Sequence, residues 1–82
     1  MQPEDIKNLI ETGLNEAAAT VTGDGRHFDA IVISPEFSGK SRIQKQQLVY
    51  ATLGDTIANG TLHAISIKTF TPEEWHQHNK EL

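Results

Sequence analysis

The stretch His27-Phe28-Asp29-Ala30-Ile31-Val32-Ile33-Ser34 is dense in apolar and β-branched residues and stops at Pro35, which has no N–H to give to a ladder, so it reads as a strand. On its N-terminal side Gly23-Asp24-Gly25-Arg26 holds an Asp-Gly pair suited to the positive-φ positions of a hairpin turn, and Ala17 to Thr22 supplies the antiparallel partner strand. On its C-terminal side the segment to Gly39 is loop. A long helix is expected from Ser41 to Ala58, closed by Asn59-Gly60, with Ile43, Tyr50, Leu53 and Ile57 on its buried side. Residues Thr61 to Thr69 alternate again and form a third strand. A long helical crossover permits the second and third strands to run parallel, whereas a short turn would force them antiparallel. If they are parallel and adjacent, their starting residues, His27 and His63, lie at the same end of the sheet.

The two ends of the chain add a helix each. Pro3-Glu4-Asp5 is a helix start, because proline suits the first turn and carboxylates favour the positive end of the helix dipole. Ile6, Leu9, Ile10 and Leu14 follow at helical spacing as one apolar stripe, with Gly13 expected to loosen its end. Thr71-Pro72-Glu73-Glu74 is a capping box that opens a final short helix through Trp75. The order is α-β-β-α-β-α, an α+β fold. A chain of 82 residues has room for one core, so residues 1–82 are read as a single domain and any function must sit on one small surface.

Composition narrows the function. Hydrophobic residues make up 37% and charged residues 22%, values of an ordinary globular domain rather than of a disordered tail. The longest apolar run, Ala30 to Ile33, is four residues, and Met1-Gln2-Pro3-Glu4-Asp5 has neither a basic n-region nor an apolar h-region. The expectation is a cytoplasmic protein with no membrane partner. There is no cysteine, so the chain alone builds no disulfide, thiolate nucleophile or four-cysteine metal site, and soft-metal chemistry must borrow sulfur from elsewhere. A net charge of −4 opposes non-specific nucleic-acid binding. The charge is uneven, however: Phe37 to Gly54 contains Lys40, Arg42 and Lys45 with no acid, so this segment carries +3 and the remainder −7.

Phe37-Ser38-Gly39-Lys40-Ser41-Arg42, then Leu48-Val49-Tyr50, then Leu62-His63-Ala64-Ile65-Ser66-Ile67-Lys68-Thr69 together resemble the signature of the BolA family, and the resemblance spans nearly the whole chain. It implies a three-stranded mixed sheet with helices, similar to a class II KH domain. It further implies a non-enzymatic partner of a monothiol glutaredoxin, sharing a [2Fe-2S] cluster for iron-sulfur assembly, trafficking or sensing, with a link to acid stress and no cluster bound by this chain alone. In such complexes the sulfur comes from the glutaredoxin cysteine and glutathione, while the BolA-type chain offers the histidine of the third-strand motif and a residue of the first hairpin. Those positions are His63 and His27. Imidazole nitrogen replaces thiolate on one iron of Rieske centres, so a cysteine-free contribution is chemically sufficient. Ligation needs neutral imidazole, so falling pH should favour protonation and release.

Each residue has a plainer reading. His63 shares strand parity with Ile65 and Ile67, which also suits a hydrogen-bonded core histidine. His27 shares parity with Ile31 and Ile33 but adjoins a glycine-rich turn not expected to hold one geometry unaided. His76 and His78, two apart on a helix, do not face each other and read as solvated surface. Lys40, Arg42, Lys45 and Lys68 form either a solvated face, a nucleic-acid surface, or a patch that attracts the acidic surface or glutathione carboxylates of a partner. The chief rival function is a KH-like nucleic-acid-binding transcriptional regulator. Against it, Gly39-Lys40-Ser41-Arg42 puts arginine where a Gly-x-x-Gly clamp needs its second glycine, and Lys45-Gln46-Gln47 stands where the family often has Arg-His-Arg. No paired carboxylates, Ser-His-Asp set or phosphate loop is present to support an enzyme. Homodimerisation stays open, because a small sheet can cover its edge with a second copy or with a partner.

Overall fold

A computed structural model describes residues 2–54 and 64–80. Helix α1 (Pro3–Gly13) starts where the sequence places it, with the Asp5 carboxylate accepting from the Gln2 N–H at 2.9 Å. Strands β1 (Ala18–Gly23) and β2 (His27–Ile33) form the expected antiparallel hairpin, with Val21 opposite Ala30. A short 3-10 turn (Pro35–Phe37) follows, then α2 (Arg42–Leu53), β3 (Ala64–Phe70) and α3 (Pro72–Lys80). The sheet order is β1-β2-β3, and β3 runs parallel to β2 with Ala30 opposite Ile67. The mixed sheet and the α-β-β-α-β-α order are therefore as read from the sequence.

Alternation along β2 decides which face is core. Phe28, Ala30 and Val32 are buried, while His27 and Asp29 are exposed and Ile31 and Ile33 half-buried on the opposite face. Ile6, Ile10 and Leu14 of the α1 stripe pack onto that buried face together with Ala19, Phe37, Val49 and Leu53. Ser34, fully buried where β2 ends, has all its polar atoms engaged: its N–H donates to Phe70 O, its hydroxyl donates to Asn15 O, and its Oγ accepts from Glu36 N–H. It ties the C-terminal ends of β2 and β3 to the loop after α1.

Two expectations about α2 are corrected. The helix ends at Leu53 rather than Ala58, because Gly54 turns to φ +49° and its N–H closes onto Tyr50 O; glycine tolerates this backbone and disfavours a helix interior. Residues 55–63, which include Ile57, Asn59-Gly60 and the start of the third expected strand, lie outside the described residues. The buried side is also rotated from the expected one. Leu53 is buried as expected, but Ile43 is 69% exposed and Tyr50 40% exposed, and Val49 is buried in their place. The half-buried face instead includes Gln46, whose carboxamide Nε2 donates to Ile67 O of β3 at 2.9 Å. A polar side chain faces inward here because it finds a backbone acceptor there.

Gly13 does something other than loosen α1. A methyl group at this position would stand 2.6 Å from Thr52 Cγ2 and 2.9 Å from Thr52 Cβ, so the missing side chain sets how closely α1 approaches α2. Thr52 is anchored, its hydroxyl donating to Val49 O. The Gly13→Ala variant is expected to lose about 1–3 kcal/mol from this overpacking, outweighing the gain of up to about 1 kcal/mol in helix propensity. Urea unfolding of the two proteins measures it, and a variant as stable as the parent would contradict the close-contact role.

Candidate functional site

His27 opens β2 from a turn built around one carboxylate. Asp24 Oδ1 accepts from Arg26 N–H at 2.9 Å and from His27 N–H at 3.0 Å, and Asp24 N–H donates back to His27 O at 3.3 Å. These bonds hold the Asp24 carboxyl below the ordinary aspartate value of 3.8, chiefly through the His27 and Arg26 N–H groups and secondarily through the nearby His27 charge. The turn thus holds His27's backbone by an Asx-type arrangement, which the sequence reading, seeing two glycines, did not anticipate. The imidazole is exposed and stands on the face away from the core.

His27 pairs with Ala64 across the parallel ladder. The residue before Ala64 is His63, which lies outside the described residues. Its placement beside His27, and the core-histidine alternative, are accordingly not described. Among the described residues no group of three or more His, Cys, Asp and Glu side chains could hold a metal ion. The donor chemistry of the whole chain is four histidines and no cysteine. That set fits a [2Fe-2S] cluster only as a partial ligand set, with the sulfur supplied by another molecule.

The basic residues divide. Arg42 and Lys45 of α2 and Lys68 of β3 line one groove of about 340 Å³ with Gln46 and with residues 67, 69 and 70 of β3, while Lys40 is exposed outside it. Lys45 is half-buried and already has a partner, its Nζ lying 3.8 Å from Glu74 Oε1. Glu74 is the acidic member of the capping box expected at α3: its Oε1 accepts from Thr71 N–H at 2.8 Å and its N–H donates to Thr71 Oγ1. The Thr71 N–H and, less strongly, the Lys45 charge lower its pKa against the opposing effect of desolvation. A larger concavity of about 620 Å³ is lined by the start of α1 and Val21 and takes none of the candidate ligand or basic-surface residues. His76 and His78 are both exposed. The His78 ring nonetheless stacks on Trp75, with centroids 5.5 Å apart, and lies 5.4 Å from Phe70, a packing role not read from the sequence.

The family model for the BolA-like protein matches residues 3–74. The chain belongs to the BolA family. The acid stress protein IbaG of Escherichia coli (strain K12) is 40% identical to it over 80 residues, covering 98% of this chain and 95% of IbaG. The DNA-binding transcriptional regulator BolA of Vibrio cholerae is 36% identical over 80 residues, covering 98% of this chain and 72% of that protein. The structure of a BolA homologue from Coxiella burnetii superposes with a TM-score of 0.85 at 42% identity, covering 93% of this chain and 97% of the other. The BolA fold is thus carried by both sequence and backbone, and the residues discussed here, except Trp75, His76 and His78, fall within the matched segment.

The lowered Asp24 carboxyl has a pH consequence at His27. A group whose pKa falls on folding contributes stability above its unfolded value and loses it as pH drops through the folded one. The His27 amide is therefore expected to stay hydrogen-bonded through the mildly acidic range and to lose its bond below pH 3.8. Amide chemical shifts followed by NMR across an acid titration give the midpoint. Asp24→Ala should abolish the transition and raise His27 amide exchange at neutral pH; equal exchange in both proteins would contradict the turn's role.

Proposed function

We propose that the protein is a non-enzymatic partner of a monothiol glutaredoxin and lends imidazole nitrogen from His63 and His27 to a [2Fe-2S] cluster shared with it. The glutaredoxin cysteine and glutathione supply the sulfur. What supports this reading is the parallel β2–β3 register, which brings exposed His27 to the same end of the sheet as Ala64, the residue that follows His63 in the chain. The Asp24 carboxylate supports it by holding the His27 backbone in one place before any partner arrives, which lowers the ordering cost of binding. Membership of the BolA family and the absence of cysteine point the same way. When bound, the cluster would supply electron-transfer or cluster-transfer chemistry. The chain's own contribution is to present two neutral nitrogens and to release them when they protonate.

Protonation gives a route from acid stress to cluster exchange, in keeping with the name of the Escherichia coli relative. Cluster transfer from the mixed complex should change across about pH 5 to 8, the span in which histidine charges. A flat profile there would contradict the proton-release step. The reading as a whole is tested by adding the protein to cluster-loaded monothiol glutaredoxin and recording visible circular dichroism. A new spectrum is expected, abolished by His63→Ala and altered by His27→Ala; an unchanged spectrum with no complex formed would overturn it.

A second reading, KH-like nucleic-acid binding, draws on the basic groove and on the name of the Vibrio cholerae relative. Two features weigh against it. Arg42 occupies the first turn of α2 in place of a second clamp glycine, and Lys45 is already engaged by Glu74. Phosphate-driven binding weakens steeply with salt, so a DNA affinity measured at two salt concentrations separates the readings.

A further inference from the structure

The free edge of β3 faces the basic groove, and its peptide groups are set for another strand. In a parallel ladder the N–H and C=O of one residue point to the same side, and successive residues alternate. Phe70 O accepts from Ser34 N–H on the β2 side. Ile67 O accepts from Gln46 Nε2 on the other side. Ile65, Ile67 and Thr69 therefore turn both backbone groups away from β2, and among the described residues β3 has no further strand beside it. The Gln46 carboxamide, donating to Ile67 O, occupies the place of a neighbouring strand's amide. Two residues along, the Thr69 peptide group has no such partner among the described residues.

Charge defines what fits beside this edge. Arg42 and Lys68 are exposed, Lys45 is half-buried, and among the described residues Glu74 at the start of α3 is the acid that meets them, through Lys45. A carboxylate of the chain itself thus already sits against one of three groove cations. We propose that the groove takes an extended acidic segment of another protein, paired as a fourth strand along the outer edge of β3. Its main chain bonds to the Thr69 N–H and C=O, and its carboxylates lie against Arg42 and Lys68. A peptide offers alternating donors and acceptors that match this edge. A phosphodiester backbone only accepts, so it would leave Thr69 O unpaired. The assignment is independent of the cluster reading, because it requires neither histidine nor glutaredoxin.

The experiment is a titration of the isotope-labelled protein, alone and without cluster, with a blocked hexapeptide alternating glutamate and valine, read by amide chemical shifts. The largest shifts are expected at Thr69 and its strand neighbours. The same peptide N-methylated on alternate amides should bind at least about tenfold more weakly, the factor corresponding to about one charge-assisted or two neutral hydrogen bonds. Arg42→Gln and Lys68→Gln should each weaken binding about threefold, in the range of exposed ion pairs. Glu74→Gln keeps the capping box, since glutamine serves in that position. It removes the internal competitor, so it should tighten binding. Equal binding of the methylated peptide, shifts that bypass Thr69, or displacement of the peptide by a tighter-binding oligothymidylate would overturn the assignment, the last in favour of a nucleic-acid groove.

Discussion

The parallel pairing of β3 with β2 sets the terms for the rest of the molecule. Parallel neighbours cannot be joined by a tight turn, so the chain has to leave the sheet through α2 and return, and α2 in returning gives the core Val49 and Leu53. The same pairing leaves β3 as an edge strand, blunted by Gln46 at Ile67 and open at Thr69. At its other end it aligns His27 with Ala64. Candidate ligand and candidate groove are thus two consequences of one register, and a slip of a single residue would exchange the faces of both.

Side-chain hydrogen bonds to backbone do much of the positioning in this small domain. Asp24 holds the hairpin turn, Ser41 and Gln44 cap α2 reciprocally, Thr71 and Glu74 cap α3, and Glu11 accepts from Ala19 N–H at the outer edge of β1. The Glu11 and Gln46 contacts share a second effect, since each occupies a backbone group that would otherwise invite another chain. Among the described residues each sheet edge is thus protected at one point rather than along its length, and Thr69 is left for a partner beside three cations.

The fold was legible because its decisive signals are local: Asp-Gly between two strand-like runs, Pro35 as a stop, a long helical crossover, and Thr71 to Glu74 as a cap. What could not be read depends on residues meeting from afar. Both parities of β2 are apolar, Phe28, Ala30 and Val32 on one side and Ile31 and Ile33 on the other, so pattern alone does not tell which faces the core. Ile43 and Tyr50 look like core residues of α2 until β3 supplies a carbonyl that draws Gln46 inward instead. Gly13 looks like a weak point in a helix until Thr52 is seen against it. Of the candidate site, Arg42, Lys45 and Lys68 were named from the sequence as a basic surface, but their gathering around one groove, and the engagement of Lys45 by Glu74, follow from packing. Turn chemistry at Asp24 was visible as a motif while the carboxylate's hold on the His27 N–H was not.

Nitrogen ligation by this chain is the central claim, and pulsed EPR of the reduced mixed complex addresses it directly. The protein is labelled with nitrogen-15 in histidine only and combined with unlabelled glutaredoxin and glutathione. Nitrogen-15 hyperfine couplings of directly bound imidazole are expected, with one lost in His63→Ala and one in His27→Ala. A reduced cluster formed in the complex with no nitrogen-15 coupling would contradict the account.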